Sequence, residues 1–423
     1  MKRVAFATLG CKVNRSDTHR LQEGLPEDVE VVPFRSVADL YVVNTCTVTG
    51  MADRESRQLV HRAHRRNPAA RIVVTGCLAD RDAAEVELPG VVAVVPNVDK
   101  AELPARLAEW LALPAPASPG AAYVYRPREV TRPPLKIQDG CAGKCTYCAV
   151  AAARGQPRSL APEWVIDALA AYGAQGCPEV VLAGIDLGSY GLDRSPPTSL
   201  AALLTAVREA APGPRLRLSS IEVLRLDEPL LDAIEAAGPA VCHHLHIPLQ
   251  SGADPVLERM RRPYDAQTYV ARIRAAQARV PGVAIGADVI AGFPGETGED
   301  HRATMALLED LGLAYLHVFP YSPRPGTPAA TFPDAVPGPE IRARAAELRQ
   351  LSDRAWRAYR ESLVGRETPA VVYFKRRQGR LTAFADPGVT VYVEGGDEHY
   401  GQLCRVIPER LDGAAMAGRL VLR

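Results

Sequence analysis

Between residues 135 and 330 six short β-rich stretches alternate with helical patterns. The β patterns cover 135–138, 179–183, 215–219, 243–248, 284–290 and 315–320. Helical periodicity fills 162–175, 199–211, 228–237, 253–260, 265–280 and 299–311. Six βα units in about 195 residues predict a parallel sheet that closes, or partly closes, into a barrel. Such a barrel places its reactive groups at the carboxyl ends of the strands.

The flanks read differently, and 423 residues leave room for two or three domains. Residues 1–112 alternate β patterns at 3–9, 29–33, 40–44, 72–75 and 91–95 with helical ones at 14–24, 51–66 and 100–112. That predicts a small Rossmann-like α/β domain with a largely parallel sheet. Residues 113–134 are rich in Pro, Ala and Gly and predict a linker. A helix over about 339–363 trails the barrel, so that unit is expected to span 135–363. Residues 364–423 carry β patterns at 368–374, 381–385, 390–393, 402–408 and 418–422, the signature of a small β-barrel. The apolar run at the start is too short for a signal peptide or a membrane span, so a cytoplasmic protein with no membrane association is expected.

Nine cysteines in a chain of this length argue for metal or catalytic use rather than a disulfide framework. Cys141, Cys145 and Cys148 stand in KIQDGCAGKCTYCAV, just past the first barrel strand. Three thiolates within eight residues can wrap an iron–sulfur cubane, whose full ligation takes four. One iron would then stay open for a ligand, as in catalytic metal sites. A zinc site completed by a distant ligand is the competing reading. Other polar residues fall at strand ends: Gly184 and Asp186, Ser219 and Glu222, Gln250, and Asp288; Arg154 follows the cysteine loop. Each fits a turn or cap about as well as a ligand contact.

Cys11, Cys46 and Cys77 form a second set. Each follows a predicted strand of the first domain, in TLGCKVN, NTCTVT and VTGCLA. Their spacings of 35 and 31 residues are too long for a local motif. A shared strand-end edge would bring them together, and in open α/β sheets that edge is the binding crevice. Three buried cysteines acting as small apolar residues would look the same. Cys177, Cys242 and Cys404 fit no set and read as structural.

The Cys-x3-Cys-x2-Cys run with Tyr147 before its last cysteine resembles the signature of the radical S-adenosylmethionine (SAM) superfamily. The resemblance implies that SAM chelates the open iron and is cleaved reductively to a 5′-deoxyadenosyl radical, with Gly184, Asp186, Ser219, Glu222, Gln250, Asp288 and Arg154 as SAM contacts. TLGCKVN, NTCTVT and VTGCLA resemble the N-terminal domain of the methylthiotransferases. That implies a second 4Fe-4S cluster, again with one open iron, on Cys11, Cys46 and Cys77. It also implies a C-terminal TRAM domain that binds RNA. LQSGADPVLERMRRPY and HVFPYSPRPGTPAA look most like the branch that modifies N6-threonylcarbamoyladenosine at position 37 of tRNA. Sister branches act on isopentenyladenosine in tRNA or on an aspartate of a ribosomal protein. In the implied mechanism one SAM methylates a sulfur at the second cluster. Another supplies the radical that takes hydrogen from C2 of the base, and the carbon radical captures the methylated sulfur. The implied partners are the tRNA anticodon loop and an external electron donor such as a flavodoxin or ferredoxin; a monomer is expected. Two segments depart from the family pattern: AVAAARG after Cys148, and NRSD after CKV.

The net charge of +1 supplies no global field for RNA, so local patches must serve. Arg54, Arg57, His61, Arg62, His64, Arg65 and Arg66 lie on one helix. Arg342, Arg344, Arg349, Arg354, Arg357 and Arg360 lie on another. Lys375, Arg376, Arg377 and Arg380 stand near Tyr373 and Phe374. Basic residues beside aromatics suit splayed loop bases. Solvated helix faces with ion pairs to Glu55, Glu347 or Asp353 are the plain alternative for the first two.

Overall fold

The computed structural model describes residues 1–26, 28–114, 124–126, 128 and 130–421. The middle of the expected linker, 115–123, lies outside the described residues, as does Leu422 of the last expected strand.

The first unit runs β1 (Lys2–Thr8), α1 (Lys12–Glu23), β2 (Val29–Val32), β3 (Leu40–Thr45), α2 (Gly50–Arg66), β4 (Arg71–Gly76), α3 (Cys77–Arg81), β5 (Val91–Val95) and α4 (Leu103–Trp110). Its five strands pair in parallel in the order β2-β1-β3-β4-β5. β3 is buried throughout, which explains its continuous apolar run, covered on both faces. The order reverses between β1 and β3, and in open α/β sheets ligands bind at such a reversal, beyond the strand ends. Helix α2 is capped by Thr49, whose hydroxyl accepts from Ala52 N at 3.2 Å, and carries His64, Arg65 and Arg66 in its last turn. The helix expected over 100–112 begins as a 3-10 turn, Asn97–Glu102, before Pro104 starts the α-helical part at α4.

The second unit opens with β6 (Pro134–Lys136) and β7 (Gln138–Asp139). The cysteine loop follows, ending in α5 (Val150–Arg154) and β8 (Arg158–Ser159). β7 and β8 pair antiparallel and cinch the base of that loop. The Ala-rich AVAAAR run that departs from the family pattern forms α5, as its high helix propensity favours. Then come α6 (Pro162–Ala174), β9 (Glu179–Ala183), α7 (Leu200–Ala210), β10 (Arg215–Leu218), α8 (Glu228–Ala237) and β11 (His244–His246). The unit ends with α9 (Asp254–Arg259), α10 (Ala266–Arg279), β12 (Ala284–Ala291), α11 (Gly298–Leu311), β13 (Tyr315–Pro320) and α12 (Gly338–Ser362). Two three-stranded parallel sheets, β6-β9-β10 and β11-β12-β13, are joined by parallel bridges at Leu216–Val241 and Ser220–His246. No pairing joins β6 to β13 among the described residues, so the six strands form a partial barrel. The strand expected over 243–248 stops at His246, just ahead of Pro248, which has no N–H for the ladder.

β14 (Thr368–Arg377), β15 (Arg380–Ala385), β16 (Thr390–Val393), β17 (Leu403–Asp412) and β18 (Ala415–Leu420) close a small barrel in the order β14-β15-β16-β18-β17. Arg360, buried at the end of α12, fixes it by donating to the carbonyls of Gly413 (2.7 Å) and Ala415 (3.1 Å). No helix among the described residues is long and apolar enough to cross a membrane.

The first two units are bonded through α1. Ser16 accepts from Lys136 N at 2.9 Å, and Asp17 pairs with Lys100 (2.9 Å), Lys136 (2.5 Å) and Arg154 (3.0 Å). Burial alone would raise the Asp17 carboxyl, but the three cations hold it well below the usual carboxylate range. Arg154 has no exposed side-chain surface, and breaking a buried charge network costs far more than never having built it. Arg154→Met is therefore expected to destabilise the first unfolding transition by about 3 kcal/mol. Chemical denaturation of the purified variant checks this; an unchanged midpoint would show that the network holds nothing together.

Candidate functional site

Cys11, Cys46 and Cys77 follow β1, β3 and β4 and sit on one edge of the parallel sheet, the first two flanking its reversal point. Cys11 is the N-cap of α1 yet makes no capping hydrogen bond, so its sulfur is left for other use. Two glycines make the convergence possible. Gly10 has φ +88°, and a Cβ there would sit 2.7 Å from Cys46 Sγ. Gly76 has φ +98°, and a Cβ there would meet Thr45 O at 2.4 Å. Both positions combine a left-handed backbone with no room for a side chain. Burial pushes the Cys46 thiol up to about 11 and raises Cys77 as well, against the nearby Arg154 guanidinium.

The barrel trio is held by N–H donors aimed at sulfur. Gly143 N donates to Cys141 Sγ (3.2 Å), Val150 N to Cys148 Sγ (3.4 Å) and Arg262 Nη1 to Cys145 Sγ (3.1 Å). Burial pushes the Cys141 thiol up to about 11 and raises Cys148. All nine cysteines are free thiols. His246, Asp288 and His317 bring one ligand atom each to within 4.8 Å of one another.

A cavity of about 140 Å³ lies between the loop that follows Cys46 and the mouth of the barrel. Val48 and Thr49, just past Cys46, line one wall, while Tyr147, Gln250, Asp288 and Tyr321 line the other. The expected SAM residues distribute unevenly around the barrel mouth. Gly184 N donates to Ser219 Oγ at 3.3 Å, and Asp186 N to Gln138 Oε1 at 2.9 Å. The Asp186 carboxyl is raised by burial, and its Oδ1 is buried with no hydrogen-bond partner. Glu222 is raised by burial against the pull of Arg262, which it pairs with directly. Gln250 is buried with φ +70° and brackets β12 through its N–H to Asp288 O (2.8 Å) and its carbonyl from Ile290 N (2.9 Å). Asp288 accepts from His246 Nε2 at 2.8 Å and lies 3.2 Å from His317 Nδ1. Arg154, a SAM contact by the sequence resemblance, is committed elsewhere: its Nη1 is spent on Asp17 and Asp139 (3.1 Å), its Nη2 bonds Asn14, and it acts on Cys77.

The family described as "Uncharacterized protein family UPF0004" matches residues 3–95, and the Radical SAM superfamily matches residues 135–308. "Threonylcarbamoyladenosine tRNA methylthiotransferase MtaB" of Bacillus subtilis (strain 168) is 36% identical, covering 96% of this chain and 93% of its own. "tRNA-2-methylthio-N(6)-dimethylallyladenosine synthase" of Clavibacter michiganensis is 32% identical, covering 92% of this chain and 76% of its own. The chain belongs to the radical SAM methylthiotransferases. In fold it is similar to the radical SAM methyltransferase TsrM of Kitasatospora setae, at a TM-score of 0.57 and 19% identity, covering 78% of this chain and 77% of that one.

Several residues of this methylthiotransferase's site escaped sequence reading. Arg262, buried and linking Glu222 to Cys145, stands in the RMRRPY run, where nothing local marks it as part of a site. Arg324, also buried, comes from the PYSPRPGT run. It donates to Thr47 Oγ1 at 3.1 Å and pairs with Asp53, which Arg81 also binds at 2.8 Å. The two arginines thus clamp the loop carrying Cys46.

The expected RNA faces divide. Arg54, His61, Arg62 and Arg65 lie exposed on α2, but Arg57 pairs with Glu85. On α12, Arg344 and Arg360 are buried struts, and Arg357 pairs with Glu361. Lys375, Arg376 and Arg377 are exposed on β14. Tyr373 instead turns inward, stacking on Phe384 and accepting from Arg132 Nε at 2.5 Å.

Gly10→Ala is expected to displace Cys46 and to halve the iron that reconstitution loads, from about eight to about four per chain. Unchanged iron would mean that Gly10 does not shape the N-terminal trio.

Proposed function

We propose that this chain inserts a methylthio group at C2 of N6-threonylcarbamoyladenosine at position 37 of tRNA. Cys141, Cys145 and Cys148 hold one 4Fe-4S cluster and Cys11, Cys46 and Cys77 the other, each with an open iron. The observation that carries this reading is the gathering of Cys11, Cys46 and Cys77 at one edge of the N-terminal sheet, in a unit that buried Arg154 ties to the base of the Cys141–Cys145–Cys148 loop. A cluster held for structure alone would be fully ligated by four protein groups.

When bound, the two clusters and SAM supply a carbon-centred radical and a methylated sulfur, chemistry that no side-chain base could perform on an unactivated C–H bond. The protein's contribution is placement. Gly143, Val150 and Arg262 donate to the barrel thiolates and so spread their negative charge. Ser219, Glu222, Gln250, Asp186 and Asp288, with the Gly184 backbone, ring the mouth as SAM contacts; the orphaned Asp186 Oδ1 suits an ammonium or hydroxyl donor. Arg154 is a positioning residue for Cys77. Arg324 and Arg81 fix the Cys46 loop.

The threonylcarbamoyl branch is favoured over the dimethylallyl branch by two relatives of that name at 36% identity, matched over 93% and 94% of their own length, against 32% identity over 76% for the Clavibacter michiganensis dimethylallyl relative. The working division of the chain is 1–112 for the sulfur-inserting domain, 113–134 for the linker, 135–363 for the radical SAM barrel and 364–423 for a TRAM domain that holds the anticodon loop. A cytoplasmic monomer served by a flavodoxin or ferredoxin completes the proposal.

The test is mass spectrometry of tRNA nucleosides from a strain lacking the activity, with and without this gene. The expected result is appearance of methylthiolated threonylcarbamoyladenosine with the gene. An unchanged tRNA profile together with a methylthiolated ribosomal protein would overturn the assignment.

A further inference from the structure

A second cavity, of about 400 Å³, lies inside the partial barrel on the far side of the His317–Asp288 pair. Asp288 lines the cavity between the Cys46 loop and the barrel mouth, and His317 lines this one, so the two spaces share a wall. Lys12, the residue after Cys11, reaches into it from the N-terminal unit; Phe384 closes it from the C-terminal barrel, and Tyr315 and Trp356 add ring faces. All three units of the chain therefore meet here.

The charges in this space do not cancel. Arg217 forks Glu179 (Nε to Oε1 2.7 Å) and donates to Asp386 O (2.9 Å). Arg132 binds the same Glu179 at 2.8 Å and lies over the Phe384 ring at 3.8 Å. One carboxylate thus serves two guanidiniums. Lys12, half-buried beside both, has no ion-pair or hydrogen-bond partner among the described residues. Asp353 stands exposed on α12 at the rim. A half-buried ammonium with two guanidiniums beside it and no partner of its own offers strong, charge-assisted donors to an anion.

A second group points the same way. His244 is 8% exposed, lines the cavity, and leaves its Nδ1 without a partner. The hydrogen-bond chain behind it sets the tautomer. Asp288 accepts from His246 Nε2; His246 Nδ1 then accepts from the Tyr315 hydroxyl at 3.1 Å; the Tyr315 oxygen accepts from His244 Nε2 at 2.9 Å. Burial and the neighbouring Arg217 keep His244 neutral. Its Nδ1 is left as a bare acceptor, buried in the cavity wall and without a partner.

We infer that this cavity is the specificity pocket for the N6 substituent, with the Lys12 ammonium pairing the threonyl carboxylate and His244 Nδ1 accepting from its hydroxyl or ureido N–H. The inference rests on the proposed substrate and names what selects it. An isopentenyl group carries neither an anion nor a donor, so it would leave both groups desolvated and unpaired, the strongest way a pocket rejects a wrong ligand.

The experiment measures binding of the reconstituted enzyme to three anticodon stem-loop RNAs. One carries threonylcarbamoyladenosine at position 37, one its methyl ester and one plain adenosine. Wild type is expected to bind the first roughly tenfold more tightly than the other two, the worth of one charge-assisted hydrogen bond. Lys12→Gln, at matched iron content, is expected to erase that preference and leave the ester and adenosine RNAs little changed; Lys12→Arg should restore most of it. Equal binding of all three RNAs by wild type would overturn the inference. So would a Lys12→Gln loss shared equally by all three, which would make Lys12 a phosphate contact. Nucleoside mass spectrometry on the same preparations separates the two levels. If wild type methylthiolates the base without preferring it in binding, the pocket falls and the proposed function stands. If it leaves the base untouched, both fall.

Discussion

Arg154 lies wholly buried where the edge of the N-terminal sheet meets the base of the barrel's cysteine loop, bound to Asp17, Asp139 and Asn14 and acting on Cys77. It stands at the end of α5, the helix that leaves Cys148, while Asp17 stands on α1, the helix that leaves Cys11. One guanidinium therefore fixes both three-thiol sites relative to each other. Charges so deep are stable only when every partner is present, so the network tolerates one arrangement of the two units and few others. Radical chemistry between two bound groups needs that rigidity, since a misplacement of about 1 Å can cost two orders of magnitude in rate.

Both sites use the same property of parallel sheets. Strands that run in one direction deliver their carboxyl ends to one edge, and residues remote in sequence meet there. β1, β3 and β4 gather three cysteines from across 66 residues of chain. In the barrel the cysteines come from one loop, and the other strand ends supply Asp186, Ser219, Glu222, Gln250 and Asp288 around it. The lumen of the partial barrel continues past Asp288 and His317 to Lys12 and His244.

Much of this was legible in the sequence because it is carried by local pattern. The βα alternation, the strand ends bearing Cys11, Cys46 and Cys77, and the compact Cys141–Cys145–Cys148 run depend on periodicity and spacing. What escaped depends on contacts between remote segments. Arg262, Arg324 and Arg81 look like any surface arginine until folding buries them against Cys145, Thr47 and Asp53. Arg154 follows the cysteine loop, which in sequence suggests a SAM contact; only the packing of α1 against β6 shows that Asp17 claims it. The basic runs on α12 misled for the same reason, since Arg344 and Arg360 point inward as struts. Lys12 drew notice only as part of a motif, and its lack of a partner is visible only once Arg132, Arg217 and Glu179 are brought around it.

The central claim is a division of labour, with one trio generating the radical and the other delivering sulfur. The most direct measurement uses the triple variant Cys11→Ala, Cys46→Ala, Cys77→Ala, assayed under reducing conditions for both 5′-deoxyadenosine and methylthiolated base. About four irons should remain per chain, SAM cleavage should continue, and methylthiolation should cease. A variant that still makes the methylthiolated base, or that retains its barrel iron but cleaves no SAM, would contradict the account.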